Sequence, residues 1–247
     1  MASPRTLTLG ILILFVGSSR LPAFVTEQEK PTPFEPTSQY EVRKVEGWTV
    51  LVNKGFLARK PELAQKTVDL LGHQLYQVVT RIPATPLMKL RTVRIWLEEA
   101  EPHHPCMAYH PDAGWLSEHG MNPEKARCVE VANAQKFLSW TRQQPWMVLH
   151  ELAHAYHHQF LVGGFENPEI RKAFEDSSIA KLYDSVLRIS GKTERAYAAT
   201  DPMEYFAETS EAFFGTNDFY PFVSAELRKH DLSMYLLLRR LWEEPGT

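Results

Sequence analysis

Cysteine is scarce: the 247 residues contain only two. A thiolate zinc cluster and a cysteine-dense scaffold both need more, so neither can be built. Charge of one sign is missing as well. The 27 Lys and Arg face 30 Asp and Glu, a formal net of −3, which argues against a nucleic-acid partner bound by phosphate neutralisation. No long hydrophobic run exists. The best candidate, residues 7–16 (LTLGILILFV), is ten long, where a bilayer span needs about 20. The 12 Gly and 17 Pro are too few and too dispersed for a fibrous or disordered chain. No internal repeat appears. With 44% hydrophobic and 23% charged residues, the chain reads as one globular domain with a sizeable core.

The ends carry their own signals. Arg5, the run at 7–16 and the small residues Gly17, Ser18 and Ser19 match a secretory signal, so residues 1–24 are expected to be a signal peptide. An uncleaved N-terminal anchor is the alternative. Residues 25–39 carry Pro31, Pro33 and Pro36 among polar residues and read as a linker or a short propeptide. The domain then runs over 40–247, secreted or extracytoplasmic and monomeric, with no membrane span in the mature chain. Export would place Cys106 and Cys128 in an oxidising compartment, where an even count favours one bridge.

Residues 40–57 place Trp48, Val50 and Val52 at period two, a strand or hairpin. Pro61 opens a long helical pattern with an apolar stripe through Leu71, Leu75 and Val78. Residues 90–97 alternate as a strand, and 128–137 look like another. From Trp146 onward helices dominate. Strands first and helices later predict an α+β fold.

The strongest motif is His150-Glu151-Leu152-Ala153-His154. Histidines four apart on a helix share a face and can converge on zinc, while the intervening Glu151 can act as general base. Thr141 with Gln144 could form a capping box upstream, and Pro145 suits a first turn. At about 100° per residue from Trp146, the apolar face covers roughly 240° to 340°. His150, His154 and Glu151 then fall near about 40°, 80° and 140°, beside the core and turning towards a cleft. His157, at about 20°, could stand behind a ligand, while His158 does not read as one. Both fit core-edge or solvated histidines better, and His103, His104, His110 and His119 read as loop and surface residues, or at most substrate contacts.

A catalytic zinc keeps three protein ligands and one open position. The three-histidine extension fails, because His157 stands at its glycine position and Phe160 at its last histidine. A later glutamate is therefore needed. Asp201 is a natural N-cap and Pro202 a natural first residue. Glu204, Glu208 and Glu211 then share a helix face, and spacing alone does not choose between Glu204 and Glu208. Glu169 and Glu175 are rivals without a second acid one turn away.

These residues resemble the gluzincin peptidases, and within them the lethal-factor-like metallopeptidase domains, which pair this histidine helix with a later E-x-x-x-E helix. The resemblance implies a zincin-like fold, a small N-terminal sheet with helices and a mainly helical C-terminal half. It implies one catalytic Zn2+ held by His150, His154 and Glu204, with Glu208 orienting a zinc histidine. Tyr197, seven residues before Glu204, would stabilise the oxyanion. About ten positions carry the likeness. The expected function is a zinc metalloendopeptidase acting on a peptide or protein substrate, with residues 129–135 as a candidate strand for binding it by strand addition. A non-catalytic zinc-binding module at the cell surface is the alternative, and a metal-free helical binding module a third reading.

Overall fold

The computed structural model describes residues 34–243. The expected signal peptide and residues 25–33 of the expected linker lie outside them. Residues 34–39 are docked rather than loose. Asn53 Nδ2 donates to Glu35 Oε2 at 2.5 Å, and Asn122 Nδ2 to the Glu35 carbonyl at 3.2 Å.

Strands β1 (Tyr40–Val45) and β2 (Trp48–Asn53) form a hairpin. Its turn residues Glu46 and Gly47 both take positive φ, 49° and 94°, as the tight turns that match strand twist require. Asn53 then caps α1 (Lys54–Arg59), accepting the Phe56 N–H at 2.9 Å. Pro61 opens α2 (Pro61–Arg81), whose Leu71, Leu75 and Val78 are fully buried.

The two later strands are shorter than expected. Of the 90–97 stretch, Leu90 closes α3 (Ala84–Leu90), which buries Pro86, Leu87 and Leu90, residues 91–93 turn, and only β3 (Ile95–Leu97) is extended. Pro83 and Pro86 sit where a helix start tolerates them, a signal stronger than the alternation that follows. After β4 (Met107–His110) and α4 (Ala113–Glu118) comes β5 (Cys128–Val131). It ends because Asn133 caps α5 (Ala134–Trp140) through the Lys136 N–H. The rest is mainly helical: α6 (Met147–Phe160), α7 (Pro168–Ile179), α8 (Pro202–Phe214), α9 (Ser224–His230) and α10 (Leu232–Leu238). A small hairpin, β6 (Val186–Leu187) with β7 (Thr193–Glu194), interrupts them.

The fold is α+β, with a mixed five-stranded sheet in the order β1-β2-β3-β5-β4. The β2, β3 and β5 strands run parallel, and β4 is antiparallel to β5. β5 is therefore interior, and strand addition along residues 129–135 is ruled out because both its edges are paired. The free edge beside it belongs to β4. No helix among the described residues is long and apolar enough to cross a membrane.

The disulfide expectation is also corrected: Cys106 and Cys128 are both free and buried. Cys128 stands opposite His110 on β4. Cys106 lies four residues before His110, roughly 13 Å away at about 3.4 Å per residue, well past the reach of a bridge. Their surroundings differ too. The Cys106 Sγ lies 3.9 Å from Met147 Sδ in the main core, while Cys128 packs with Tyr40, Leu51 and Trp96.

A buried polar chain ties that second cluster together. The Tyr40 hydroxyl donates to Glu98 at 2.5 Å, and Lys125 Nζ bridges Glu98 at 2.8 Å and Glu130. Glu130 in turn meets His110 Nε2 at 2.6 Å. His110, expected at the surface, is thus buried within β4. Burial favours the neutral Glu130 carboxyl, but His110 and Lys125 outweigh it and hold its pKa below the usual range.

Candidate metal centre

The helix that carries the motif is fixed from behind. Leu149, Leu152, Ala153 and Tyr156 of α6 are fully buried. The Tyr156 ring stacks on Trp242 at 4.0 Å, and its hydroxyl donates to the Leu241 carbonyl at 3.0 Å. Trp242 also stacks with Phe206 of α8 and donates to Ser210 Oγ at 3.1 Å, so one C-terminal residue clamps both helices. The expected capping box does not form. Thr141 is taken by α5, where its hydroxyl donates to the Phe137 carbonyl, and α6 opens after Trp146 with no side-chain cap.

The α8 helix starts as its sequence predicts. The Asp201 carboxylate accepts the N–H groups of Met203 at 2.8 Å and Glu204 at 3.0 Å, with Pro202 in the first turn. Glu204 is thereby held at the start of a helix packed along α6. Its Oε2 lies 3.0 Å from His150 Nε2 and 3.3 Å from His154 Nε2, and the two Nε2 atoms are 3.1 Å apart. Ligands about 2.0–2.1 Å from a tetrahedral zinc stand roughly 3.3 Å from one another, so this triangle fits the ion. Two imidazoles and a carboxylate are also a donor set that zinc accepts. Burial raises the Glu204 carboxyl, yet the two histidines reverse that and hold its pKa well below the carboxylate range. For His150, burial alone would lower the pKa, but hydrogen bonds with Glu204 and Glu211 hold it well above the usual value.

Behind His150 the structure differs from what the resemblance implies. The carboxylate bonded to its Nδ1 is Glu211, at 2.8 Å, while the nearest Glu208 oxygen is at 3.8 Å. One further turn along α8 brings Glu211 level with His150, so Glu211 rather than Glu208 takes the orienting position. With its Nδ1 proton donated to Glu211, His150 could exchange the Nε2 proton for a metal on the side that faces His154 and Glu204. Glu208 is buried alongside, and burial followed by the charge of Glu211 pushes its pKa well up. The rivals fall away: Glu169 and Glu175 are exposed, and Glu169 is bound by Arg240.

The triangle opens on a cavity of about 650 Å³. Glu151 and Tyr197 line it, as do Met107, Ala108 and Tyr109 of the edge strand β4. The Tyr197 ring lies 6.3 Å from that of His150, centre to centre, and is about half exposed. Burial, then the Glu204 charge, raises its hydroxyl pKa to about 12, so it stays protonated and able to donate. His158 bonds the Tyr109 hydroxyl at 2.8 Å and takes no part in the triangle. His157 is fully buried between Phe165 and Phe206, with neither ring nitrogen in hydrogen-bond geometry. Among the remaining expected surface histidines, His103 pairs with Glu101 at 2.5 Å and His119 stacks on Trp115. The β4 wall escaped the sequence reading, which placed Glu211 on a face with Glu204 and Glu208 but gave it no role.

Comparison with known protein families, curated proteins and solved structures finds no match to this chain.

Proposed function

We propose that the protein is an exported zinc peptidase with a zincin-like catalytic domain. The observation that carries this reading is the triangle of His150, His154 and Glu204 atoms, 3.0–3.3 Å apart, opening on the cavity that Glu151 also lines. A purely structural zinc site has no use for a general base or for a cavity at its open position. The antiparallel edge strand β4 beside α6 supports the zincin-like reading, and it replaces β5 as the strand on which an extended peptide would lie.

His150, His154 and Glu204 would hold the ion, which when bound supplies Lewis acidity for a water and for the scissile carbonyl. Glu151 accepts the proton of the attacking water as its oxygen adds to the carbonyl carbon. As the carbon–nitrogen bond breaks, Glu151 passes that proton to the leaving amine. The Tyr197 hydroxyl, kept protonated, donates to the oxygen on which negative charge develops. Glu211 fixes the tautomer and ring plane of His150. β4 would align the peptide backbone through its free N–H and C=O groups.

The test is zinc content and peptide cleavage measured side by side in wild type and Glu151→Gln. Both should retain about one zinc per chain, while cleavage by the variant falls by roughly a hundredfold or more. A Glu151→Gln protein that cleaves as fast as wild type sinks the mechanism, and a wild type that binds no zinc sinks the reading as a whole.

A further inference from the structure

Two arginines stand on the cavity wall that follows β6, and their surroundings set them apart. Arg188 is committed to the protein. Its guanidinium lies 3.1 Å from the buried Asp218 carboxylate and 3.2 Å from Glu194, and it covers the Phe219 ring at 4.9 Å. Its charge is matched twice over. Arg195 is not matched in this way. It donates to the Ala199 carbonyl, and its Nε stands 3.8 Å from Asp184. Those two side chains are 61% and 51% exposed, an arrangement that solvent screens almost completely.

The backbone around Arg195 is anchored. The Ala196 N–H donates to the Tyr183 carbonyl at 2.9 Å, and Tyr197 follows on the same cavity wall. Arg195 thus projects a weakly paired cation from anchored backbone, two residues before the group assigned to the oxyanion. Pro105, Met107 and Ala108 line the same cavity without charge, and its acids Glu151, Glu204 and Glu211 belong to the triangle and its immediate neighbours. A planar guanidinium with free N–H donors recognises a carboxylate by paired, charge-assisted hydrogen bonds.

We propose that Arg195 makes the cavity selective for peptides that present a carboxylate next to the scissile bond. This rests on the peptidase reading of the same site. The carboxylate belongs either to an acidic side chain or to a free C-terminus, and a binding experiment separates the two.

The probes are short peptide hydroxamates, with the hydroxamate at either end and Glu or Gln as the adjoining residue. A further pair carries the hydroxamate at the N-terminal end and ends in a free acid or an amide. Binding to the zinc-loaded protein is measured by calorimetry. One carboxylate-bearing form should bind about tenfold tighter than its neutral partner, and the advantage should shrink as salt rises. Arg195→Ala should cut it below about twofold, Arg195→Lys should keep a part of it, and Arg195→Glu should reverse it. An advantage in the Glu pair assigns the acidic side chain, and one in the acid/amide pair assigns the C-terminus. Equal binding of every charged and neutral pair, or an advantage that survives Arg195→Ala, overturns the inference and leaves the peptidase reading standing. Failure of all hydroxamates to bind removes the peptidase reading and this inference with it.

Discussion

His157 sits three residues beyond a proposed ligand and has the opposite environment. Burial, then the nearby His154 and His158, lowers its pKa to about 3, against the ordinary histidine value of 6.5. The folded protein therefore keeps this imidazole neutral while the unfolded chain protonates it below about pH 6.5. A depressed histidine pKa gives stability that is complete above 6.5 and is lost as pH falls towards 3, at up to about 1.4 kcal/mol per pH unit. His157→Leu should remove this dependence. In urea titrations, wild type should lose about 2 to 3 kcal/mol more than the variant between pH 7 and pH 4.5. Parallel losses in the two proteins would place the acid sensitivity elsewhere. Helical rotation already separated His157 from His158 and turned it towards the site, but that its neighbours are Phe165 and Phe206 rather than a ligand is known only from the fold. Glu211 presents the same difficulty. Its spacing puts it on a face with Glu204 and Glu208, but which acid meets His150 depends on how far along α6 the α8 helix is seated.

Helix ends decide where the motif stands. The start of α8 was legible because Asp201 and Pro202 act locally, through a side-chain cap and a fixed φ. The start of α6 was not, since its nearest capping residue, Thr141, already terminates α5. What secures that end is a tertiary contact: the Trp146 ring lies against Gly215, the residue that closes α8. A Cβ added at Gly215 would lie 1.9 Å from one indole carbon and 2.3 Å from a second. Trp146 is itself buried and cannot step aside cheaply. Gly215→Ala should therefore destabilise the fold by about 1–3 kcal/mol, and a chemical denaturation midpoint unchanged from wild type would refute the contact. The strands misread as longer than they are show the same competition. Alternation over 90–97 and 128–137 was real, but Pro83, Pro86 and Asn133 exert helix-starting preferences that the packing then rewards with buried Leu90 and Phe137.

At the scale of the whole molecule, no covalent cross-link joins the described residues. Burial, then the charge of Glu151, raises the Cys106 thiol pKa to about 12, and Cys128 is equally buried. A thiol reagent at neutral pH should leave the native protein unmodified and label both cysteines only after denaturation. Added reductant should leave the melting temperature within about one degree. Rapid labelling of either native thiol, or a melting temperature that drops on reduction, would contradict this arrangement. The α+β class and the two site helices were legible from periodicity and caps. Strand order was not, because the chain passes from β3 to the edge at β4 and then returns to insert β5 between them, a pairing with no local signature.

That pairing turns the buried Glu130 into an alignment key. Cys128 and Glu130 face the polar cluster, and Val129 and Val131 face the main core. Slide β5 by one residue against its neighbours and the carboxylate enters the apolar side, leaving Lys125 and His110 without it. Breaking a buried pair in this way costs roughly 3–5 kcal/mol, enough to make the slipped sheet vanishingly rare. Since β4 is both the partner of β5 and a wall of the cavity, that intolerance reaches the cleft. The distance from the edge strand to the His150 helix is reproduced in every folded copy by an acid that lies outside the cleft wall.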